Sequence, residues 1–158
     1  MQRVFYSYGE FRDDLRYLIS LIDWQFDTIV PISRGGLTMG HMLGEYYGIR
    51  EVYSINTIGY DDTQKLSTIQ ISHTPDLKDA KRVLIVDDIV DSGDTILEVL
   101  KHLSSLYPDV EFKVASLFYK KSAKITPNWY AKEANEWIDF FWSEDLKDNN
   151  GTDDRQLR

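Results

Sequence analysis

Four aspartates follow closely on a run of aliphatic residues that begins at Val83. They are Asp87, Asp88, Asp91 and Asp94. Carboxylates placed in this way can accept hydrogen bonds from sugar hydroxyls or hold Mg²⁺ through oxygen and water. The alternative is that the last two only cap a helix and the first two form a solvated strand end, although capping accounts for a single carboxylate. The pattern favours a site for a polar ligand.

The turn between the third and fourth aspartates contains Ser92 and Gly93, and Thr95 follows it. Gly93 lets the backbone approach a ligand closely, and the two hydroxyl groups are hydrogen-bond donors. Backbone N–H groups at the start of the next helix point outward with the positive end of the helix dipole. This composition predicts a cradle for a phosphate group.

A second glycine-containing turn, Ser33-Arg34-Gly35-Gly36, lies earlier in the chain. Its two glycines free the backbone to present N–H groups to an anion, and Arg34 adds a positive charge. Such a turn is a weak signal by itself, because many strands are joined to helices by a Gly-Gly turn. It gains weight because it precedes the aspartates in the chain and, like their turn, lies between a predicted strand and a predicted helix.

The elements that would position these turns are strands that alternate with helices. A capping box at Ser7 and Glu10 begins a helix that is predicted to run to about Trp24. This alternation predicts an α/β fold with a mostly parallel central sheet flanked by helices on both faces. Ligands of such sheets bind at the carboxyl ends of the strands, where the aspartates would lie. Further helices are predicted at 37–47 and 95–106, and strands at 28–32, 52–58, 69–71, 83–86, 112–119 and within 129–142.

Two segments are polar and lack a regular pattern. Residues 59–81 form a long connection of the kind that often serves as a lid or binding loop. Residues 146–158 are rich in turn formers, so we expect a flexible tail behind a single domain at 1–145.

Composition and charge restrict the classes of function. The chain has 158 residues, a net charge of −8 and a pI near 4.8. This acidity argues against a nucleic-acid partner, which needs clustered Lys and Arg, but not against a small anionic ligand. No apolar run is long enough for a transmembrane segment, and the first residues do not resemble a signal peptide. The absence of cysteine excludes disulfides and thiolate metal sites, and we expect a cytoplasmic protein.

Five segments carry a resemblance to a known family. They are VLIVDDIVDSGDTI (83–96), IVPISRGGLTMG (29–40), LGEYYGIREVYSINTIGYDD (43–62), FYKKSA (118–123) and ANEWIDFFWSED (134–145). The first resembles the ribose-phosphate signature of type I phosphoribosyltransferases. The second resembles their pyrophosphate loop, in the Ser-Arg-Gly-Gly form of the bacterial xanthine-guanine branch, and the last two resemble their base-binding segments. The resemblance covers residues 24–145 and implies a fold with a small hood and a mobile loop.

The resemblance implies an enzyme that joins a purine to phosphoribosyl pyrophosphate (PRPP), giving a nucleoside 5′-monophosphate and pyrophosphate, with Mg²⁺ bound beside the pyrophosphate. Asp87 and Asp88 would bind the ribose hydroxyls, with Asp88 on the side of the Mg²⁺. Asp91 would act as general acid/base toward N7 of the base. The ribose 5-phosphate site as a whole would consist of Asp87, Asp88, Asp91, Ser92, Gly93, Asp94 and Thr95.

The same resemblance assigns pyrophosphate to Ser33, Arg34 and Gly35, with Lys65 reaching it from the mobile loop. Because the family often has a non-proline cis peptide in this loop, we expect one between Ser33 and Arg34. Lys65 has a plain alternative as a solvated loop lysine.

The base would be bound by Lys120, Trp137 and Ile138. Lys120 matches the lysine that donates to the 6-oxo oxygen, which selects oxopurines over adenine. A slip by one residue to Lys121 stays open, as does the preference among xanthine, guanine and hypoxanthine. Asp94 departs from the family pattern, and its carboxylate weakens phosphate binding unless it points away.

Two other functions stay open beside purine salvage. One is a nucleotide-sensing regulatory protein on the same fold, which needs a basic surface or an added domain to act on nucleic acid. The other is a transferase for uracil, orotate or adenine, against which Lys120 and the segment at 137–138 argue. Members of the family are usually dimers or tetramers, so we expect a homo-oligomer.

Overall fold

The structure, a computed structural model, describes residues 2–61 and 67–147. Lys65 and residues 148–158 of the predicted tail lie outside this part, and its helices are too short or too polar to cross a membrane. Its strands are β1 (Arg3–Tyr6), β2 (Thr28–Ser33), β3 (Ile55–Asp61), β4 (Ser67–Ser72), β5 (Arg82–Val90), β6 (Glu111–Tyr119), β7 (Trp129–Glu133) and β8 (Trp137–Phe140). Its helices are α1 (Tyr8–Leu21), α2 (Leu37–Tyr47), α3 (Asp94–Leu106) and the short α4 (Phe141–Glu144).

Six of the strands form a central sheet in the order β4-β3-β2-β5-β6-β7. All of its neighbouring pairs are parallel except β3 and β4, which form an antiparallel hairpin. The predicted α/β fold with a mostly parallel sheet is confirmed. Since β2 and β5 are neighbours at the centre, the glycine turn that follows β2 and the aspartates of β5 lie side by side.

Helices cover both faces of the sheet, as predicted. On one face α1 and α2 bury Leu18 and Leu43 against Leu84 of β5. On the other face α3 buries Leu103 in a cluster with Ile85. Consecutive residues of β5 thus enter different cores, which explains the unbroken aliphatic run that precedes the aspartates.

Local signals set the helix ends. Ser7 and Glu10 form the predicted capping box: Ser7 Oγ accepts from the Glu10 N–H at 3.2 Å, and the Glu10 carboxylate accepts from the Ser7 N–H at 2.9 Å. α2 ends at Gly48, whose left-handed φ of 66° suits glycine. The prediction that α1 runs to Trp24 is wrong, because the helix ends at Leu21 and the tryptophan packs beneath the sheet edge instead.

Two strands differ from their predicted bounds. β5 does not stop at Val86 but continues through the first two aspartates to Val90, because its last residues pair with β6. β3 covers Ile55–Asp61 rather than 52–58, so it enters the segment that was predicted to be irregular. There it pairs with β4, which confirms the short strand predicted near 69–71.

A separate two-stranded parallel sheet of β1 and β8 forms the hood. It packs on the central sheet through Tyr6, whose ring centroid lies 4.9 Å from that of Phe118 in β6. Within the hood, the Tyr6 ring centroid lies 5.7 Å from that of Phe140 in β8. Sequence periodicity does not predict β1, because a strand of four residues forms only through its pairing with the distant β8.

Candidate active site

The turn between β5 and α3 has the geometry of an anion cradle. Gly93 has a left-handed φ of 87° and precedes Asp94, the first residue of α3. This conformation favours glycine, and the space is tight, because a Cβ atom there would lie 3.2 Å from the backbone nitrogen of Lys124 and 3.0 Å from the side chain of Ile125. The first N–H groups of a helix have no partner within it, and those of α3 therefore suit an anion.

Asp87 and Asp88 lie side by side in the chain near the end of β5, and both are partly buried. The Asp88 N–H donates to Asp87 Oδ1 at 2.9 Å. Burial, reinforced by the charge of Asp88, raises the pKa of Asp87 well above its ordinary value, and burial also raises the pKa of Asp88. Hydroxyl donors or a cation brought by a ligand would stabilise the charged forms of both carboxylates.

The glycine turn after β2 lies directly against these aspartates. A Cβ atom on Gly35 would lie 2.5 Å from Asp88 Oδ2, so the Asp88 carboxylate rests on the backbone of the turn. The Ser33–Arg34 peptide bond is cis, which confirms the expectation. Arg34 is exposed where β2 ends, beside the cradle. The two predicted anion-binding loops are thus brought together.

Lys120 joins the cradle from the end of β6. Its ammonium nitrogen lies 2.7 Å from Asp91 Oδ1, and its backbone N–H donates to the Val90 carbonyl at 3.0 Å. Its side chain is 24% exposed, whereas that of Lys121 is 76% exposed and pairs with Glu133. The geometry therefore favours Lys120 over its neighbour as the lysine that faces a ligand.

A cavity of ≈ 350 Å³ connects Lys120 with the hood. Asp91 and Ile89 line it from the cradle side, and Trp137 and Ile138 line it from β8. The Trp137 side chain is half exposed, and its indole N–H donates to Asp139 Oδ1 at 3.2 Å. All three residues predicted to bind a base thus line one cavity. Trp142, by contrast, packs against the hood, where its ring stacks on that of Phe140 with 4.6 Å between the ring centroids.

Sequence reasoning missed Arg3 and Asp139, which also line this cavity. Arg3 donates two hydrogen bonds to the Asp139 carboxylate, at 2.6 and 2.9 Å, and its guanidinium lies 5.8 Å from the centroid of the Trp137 ring. The bidentate contact with Arg3 lowers the pKa of Asp139. Trp137 is thus held at its N–H edge by the carboxylate and faced by the cation.

A third missed residue is Lys124, whose ammonium nitrogen lies 2.6 Å from Asp94 Oδ1. The sequence predicts that the Asp94 carboxylate weakens phosphate binding unless it points away. Its carboxylate is instead paired with a cation and also accepts a hydrogen bond from Ser92 Oγ at 3.1 Å. No pattern in the sequence pairs these residues, since thirty positions separate them.

A larger cavity lies elsewhere. It measures ≈ 990 Å³ and is found at the amino ends of β2 and β5, between Thr28 and Lys81. Its lining includes none of the predicted site residues that the structure describes. We place the candidate site at the smaller cavity, because ligands of parallel sheets bind at the carboxyl ends of the strands.

The acidic residues of the site suit Mg²⁺ that arrives with a phosphate ligand. Mg²⁺ prefers oxygen donors and commonly uses one or two carboxylates together with substrate phosphates. Within residues 2–61 and 67–147 no group of three or more acidic or histidine side chains could form a complete metal cage. Asp88, in contact with the glycine turn, offers the single carboxylate that such an ion would need.

Comparison with known proteins places these motifs in one family. The family model described as phosphoribosyl transferase domain matches residues 12–149. The chain is 32% identical over 146 residues to the xanthine-guanine phosphoribosyltransferase of Cereibacter sphaeroides, an alignment that spans 86% of this chain and 84% of the relative.

Solved structures agree with this result. The xanthine-guanine-hypoxanthine phosphoribosyltransferase of Helicobacter pylori superposes with a TM-score of 0.85 at 42% identity, over 92% of this chain and 96% of the other. A purine phosphoribosyltransferase from Pyrococcus horikoshii gives a TM-score of 0.79 at 29% identity, over 91% of this chain and 96% of the other. The similarity therefore extends over nearly the whole fold.

Proposed function

The chain belongs to the phosphoribosyl transferase family, and we propose that it is a purine salvage enzyme that joins an oxopurine to PRPP. The products are a nucleoside 5′-monophosphate and pyrophosphate. The observation that carries the proposal is that Lys120 and Asp91 form an ion pair between the phosphate cradle and a cavity of base size. An enzyme that forms a bond between a base and a sugar phosphate needs this adjacency.

The ribose 5-phosphate part of PRPP is assigned to the end of β5 and the cradle. The N–H groups that open α3 and the hydroxyls of Ser92 and Thr95 donate to the phosphate. Asp87 and Asp88 accept hydrogen bonds from the ribose hydroxyls. Their raised pKa values in the free protein support this role, because a hydroxyl donor restores the stabilisation that burial removes.

The pyrophosphate part is assigned to the glycine turn. Backbone N–H groups at Ser33 and Gly35 and the guanidinium of Arg34 bind its oxygens. Asp88 would hold Mg²⁺ that arrives with the pyrophosphate, and the ion would neutralise negative charge on the leaving group. Lys65, which lies outside the described residues, is proposed as a further cation that binds the pyrophosphate.

The base is assigned to the cavity beneath the hood. Trp137 offers an aromatic face, Ile138 offers apolar contact and a backbone carbonyl, and Lys120 donates to the 6-oxo oxygen. The amino group of adenine cannot accept that hydrogen bond, so an oxopurine is preferred. Both the Cereibacter and the Helicobacter relatives carry xanthine and guanine in their names, which supports the same class of base.

The reaction exchanges one bond at the anomeric carbon of the ribose. The bond from the purine N9 to this carbon forms, and the bond to the pyrophosphate oxygen breaks with its electron pair. Positive charge develops on the sugar in the transition state, as in other glycosyl transfers. Asp91 accepts the proton that the purine loses at N7, and Lys120 holds the carboxylate at the cavity before the base arrives.

The proposal is tested by offering guanine, xanthine, hypoxanthine and adenine separately with PRPP and Mg²⁺. We expect turnover of the oxopurines, with kcat/KM for adenine lower by roughly 10² or more because the lysine then lacks its acceptor. Equal turnover of adenine would contradict the assignment of Lys120. Nucleotide binding without turnover of any base would instead indicate a regulatory nucleotide sensor, which the named relatives do not favour.

We also propose a homo-oligomer. Large apolar side chains are exposed on α2, on the segment that leads into β3 and on β3 itself, among them Leu37, Tyr46, Tyr53 and Ile58. A second copy of the chain would cover such a surface. Sedimentation of the purified protein tests this, and a monomer at micromolar concentration would contradict it.

A further inference from the structure

The Asp94 carboxylate contacts two donors at the phosphate cradle, the Lys124 ammonium and the Ser92 hydroxyl. The Lys124 ammonium lies 2.6 Å from Asp94 Oδ1, and Ser92 Oγ donates to Asp94 Oδ2 at 3.1 Å. The hydrogen bond from Lys124 lowers the pKa of Asp94, so the carboxylate stays charged at neutral pH. An internal anion therefore stands beside the place assigned to the 5′-phosphate.

The position of Lys124 is set by the backbone. Its N–H donates to the Ser92 carbonyl at 2.8 Å, which ties the segment after β6 to the cradle. The next residue, Ile125, packs against Gly93 so closely that a Cβ atom there would lie 3.1 Å from its nitrogen. The same segment begins with the hydrogen bond from Lys120 to Val90. The lysine is thus carried on a fixed part of the site.

We propose that Lys124 and Asp94 set the affinity for the 5′-phosphate in opposite directions, the lysine strengthening it and the aspartate weakening it. This inference rests on the proposed function, because it assumes that the cradle takes a phosphate. The phosphate and the Asp94 carboxylate carry the same sign of charge and draw on the same donors, Lys124 and the Ser92 hydroxyl. When the phosphate binds, the Lys124 ammonium interacts with both the phosphate and the Asp94 carboxylate.

The opposite signs separate this idea from a structural role of the ion pair. If the pair only stabilised the turn, loss of either partner would weaken phosphate binding. If it acts through charge, removing the carboxylate leaves the cation for the phosphate, and removing the cation leaves two anions facing one another. Because Lys124 is exposed and Asp94 is partly exposed, we expect changes of roughly three- to tenfold, which should shrink as salt is added.

The experiment measures the Kd of GMP and of guanosine by titration calorimetry for the wild type, Asp94→Asn, Lys124→Gln and the double variant. We expect Asp94→Asn to bind GMP more tightly than the wild type and Lys124→Gln to bind it more weakly. The double variant should fall between them, and the affinity for guanosine, which has no phosphate, should be unchanged. Lys121→Gln removes the same charge three residues away and should leave both affinities unchanged.

Three results would overturn the inference. They are a shift of GMP affinity in the same direction for Asp94→Asn and Lys124→Gln, an equal change for guanosine, and no change in either variant. The proposed function fails in a different way, namely by the absence of GMP and PRPP binding in the wild type. That outcome removes the premise and the inference with it.

Discussion

The ammonium nitrogen of Lys120 lies 2.7 Å from Oδ1 of Asp91 at the mouth of the cavity beneath the hood. The lysine approaches from the end of β6 and the aspartate from the end of β5, so two neighbouring parallel strands deliver the pair. In the proposed reaction Asp91 receives a proton from the base, and Lys120 donates a hydrogen bond to its 6-oxo oxygen. When the base binds, Lys120 and Asp91 must therefore turn from their ion pair toward the base.

Replacing Lys120 with Gln should reduce kcat/KM for guanine by roughly ten- to a hundredfold, the cost of losing a hydrogen bond from a charged donor. The discrimination against adenine should fall as well, because a Gln amide can both donate and accept. Steady-state kinetics with the two bases measures both effects. Lys121→Gln, which alters an exposed lysine paired with Glu133, is the control and should leave the ratio of the two bases unchanged.

Replacing Gly35 with Ala should displace the Asp88 carboxylate, because the new Cβ would lie 2.5 Å from its Oδ2. A carboxylate can swing aside, so the free energy of unfolding should change little, whereas kcat/KM for PRPP should fall by roughly 10² because the site loses its alignment. Chemical denaturation and steady-state kinetics separate the two effects. Gly59→Ala, whose Cβ would enter open space, should change neither. Equal activity of the two variants would contradict the contact.

Asp87→Asn should stabilise the ligand-free protein at neutral pH while it lowers activity. Burial raises the pKa of Asp87 above its value of 3.8 in a free chain. Between these two pKa values the folded state holds a proton that the unfolded state has lost, so the stability contributed by this group falls as pH rises through that range. Asn carries no such charge, and we expect a gain of roughly 0.5–2 kcal/mol at pH 7.

Urea unfolding between pH 4 and pH 8 measures this difference. The gain of Asp87→Asn over the wild type should grow with pH and disappear toward pH 4. A gain that is independent of pH would mean that the substitution acts through packing and not through charge. Saturating PRPP should reverse the order of stability, because the wild-type carboxylate then has its ligand.

Asp139→Asn should raise the KM for the base by roughly three- to tenfold and leave the KM for PRPP unchanged, because it weakens the hydrogen bonds that orient Trp137. Arg3→Gln should give a similar result. Initial rates with each substrate varied in turn provide the comparison. Asp13→Asn, at an exposed ion pair on α1, serves as the control. An equal rise in both KM values would indicate general damage to the fold.

Much of the central sheet could be predicted because its signals are local. Aliphatic residues of β5 alternate between two helix-covered faces, and the cradle is encoded by consecutive residues from Asp91 to Thr95. The same holds for the capping box at Ser7. A local pattern of this kind can be recognised in a single sequence because its physical cause lies within the same few residues.

The missed strand and the missed ion pairs depend on residues that are far apart in the chain. β1 exists only through β8, and the pairs Arg3–Asp139 and Lys124–Asp94 join side chains that topology brings together. The predicted end of β5 at Val86 is also too early, because pairing with β6 extends the strand beyond its aliphatic run. Charge pairs between distant elements leave no pattern to find until the register of the strands is known.

The measurement that tests the central claim most directly is the stoichiometry of the products. Purified protein is incubated with guanine, PRPP and Mg²⁺, and GMP and pyrophosphate are quantified together, beside an Asp91→Asn variant. We predict equal amounts of the two products, no pyrophosphate without the base, and a rate lower by roughly 10²–10⁴ in the variant, the usual contribution of general acid–base catalysis. Pyrophosphate released without guanine, or GMP bound but never formed, would contradict the assignment of this site to phosphoribosyl transfer.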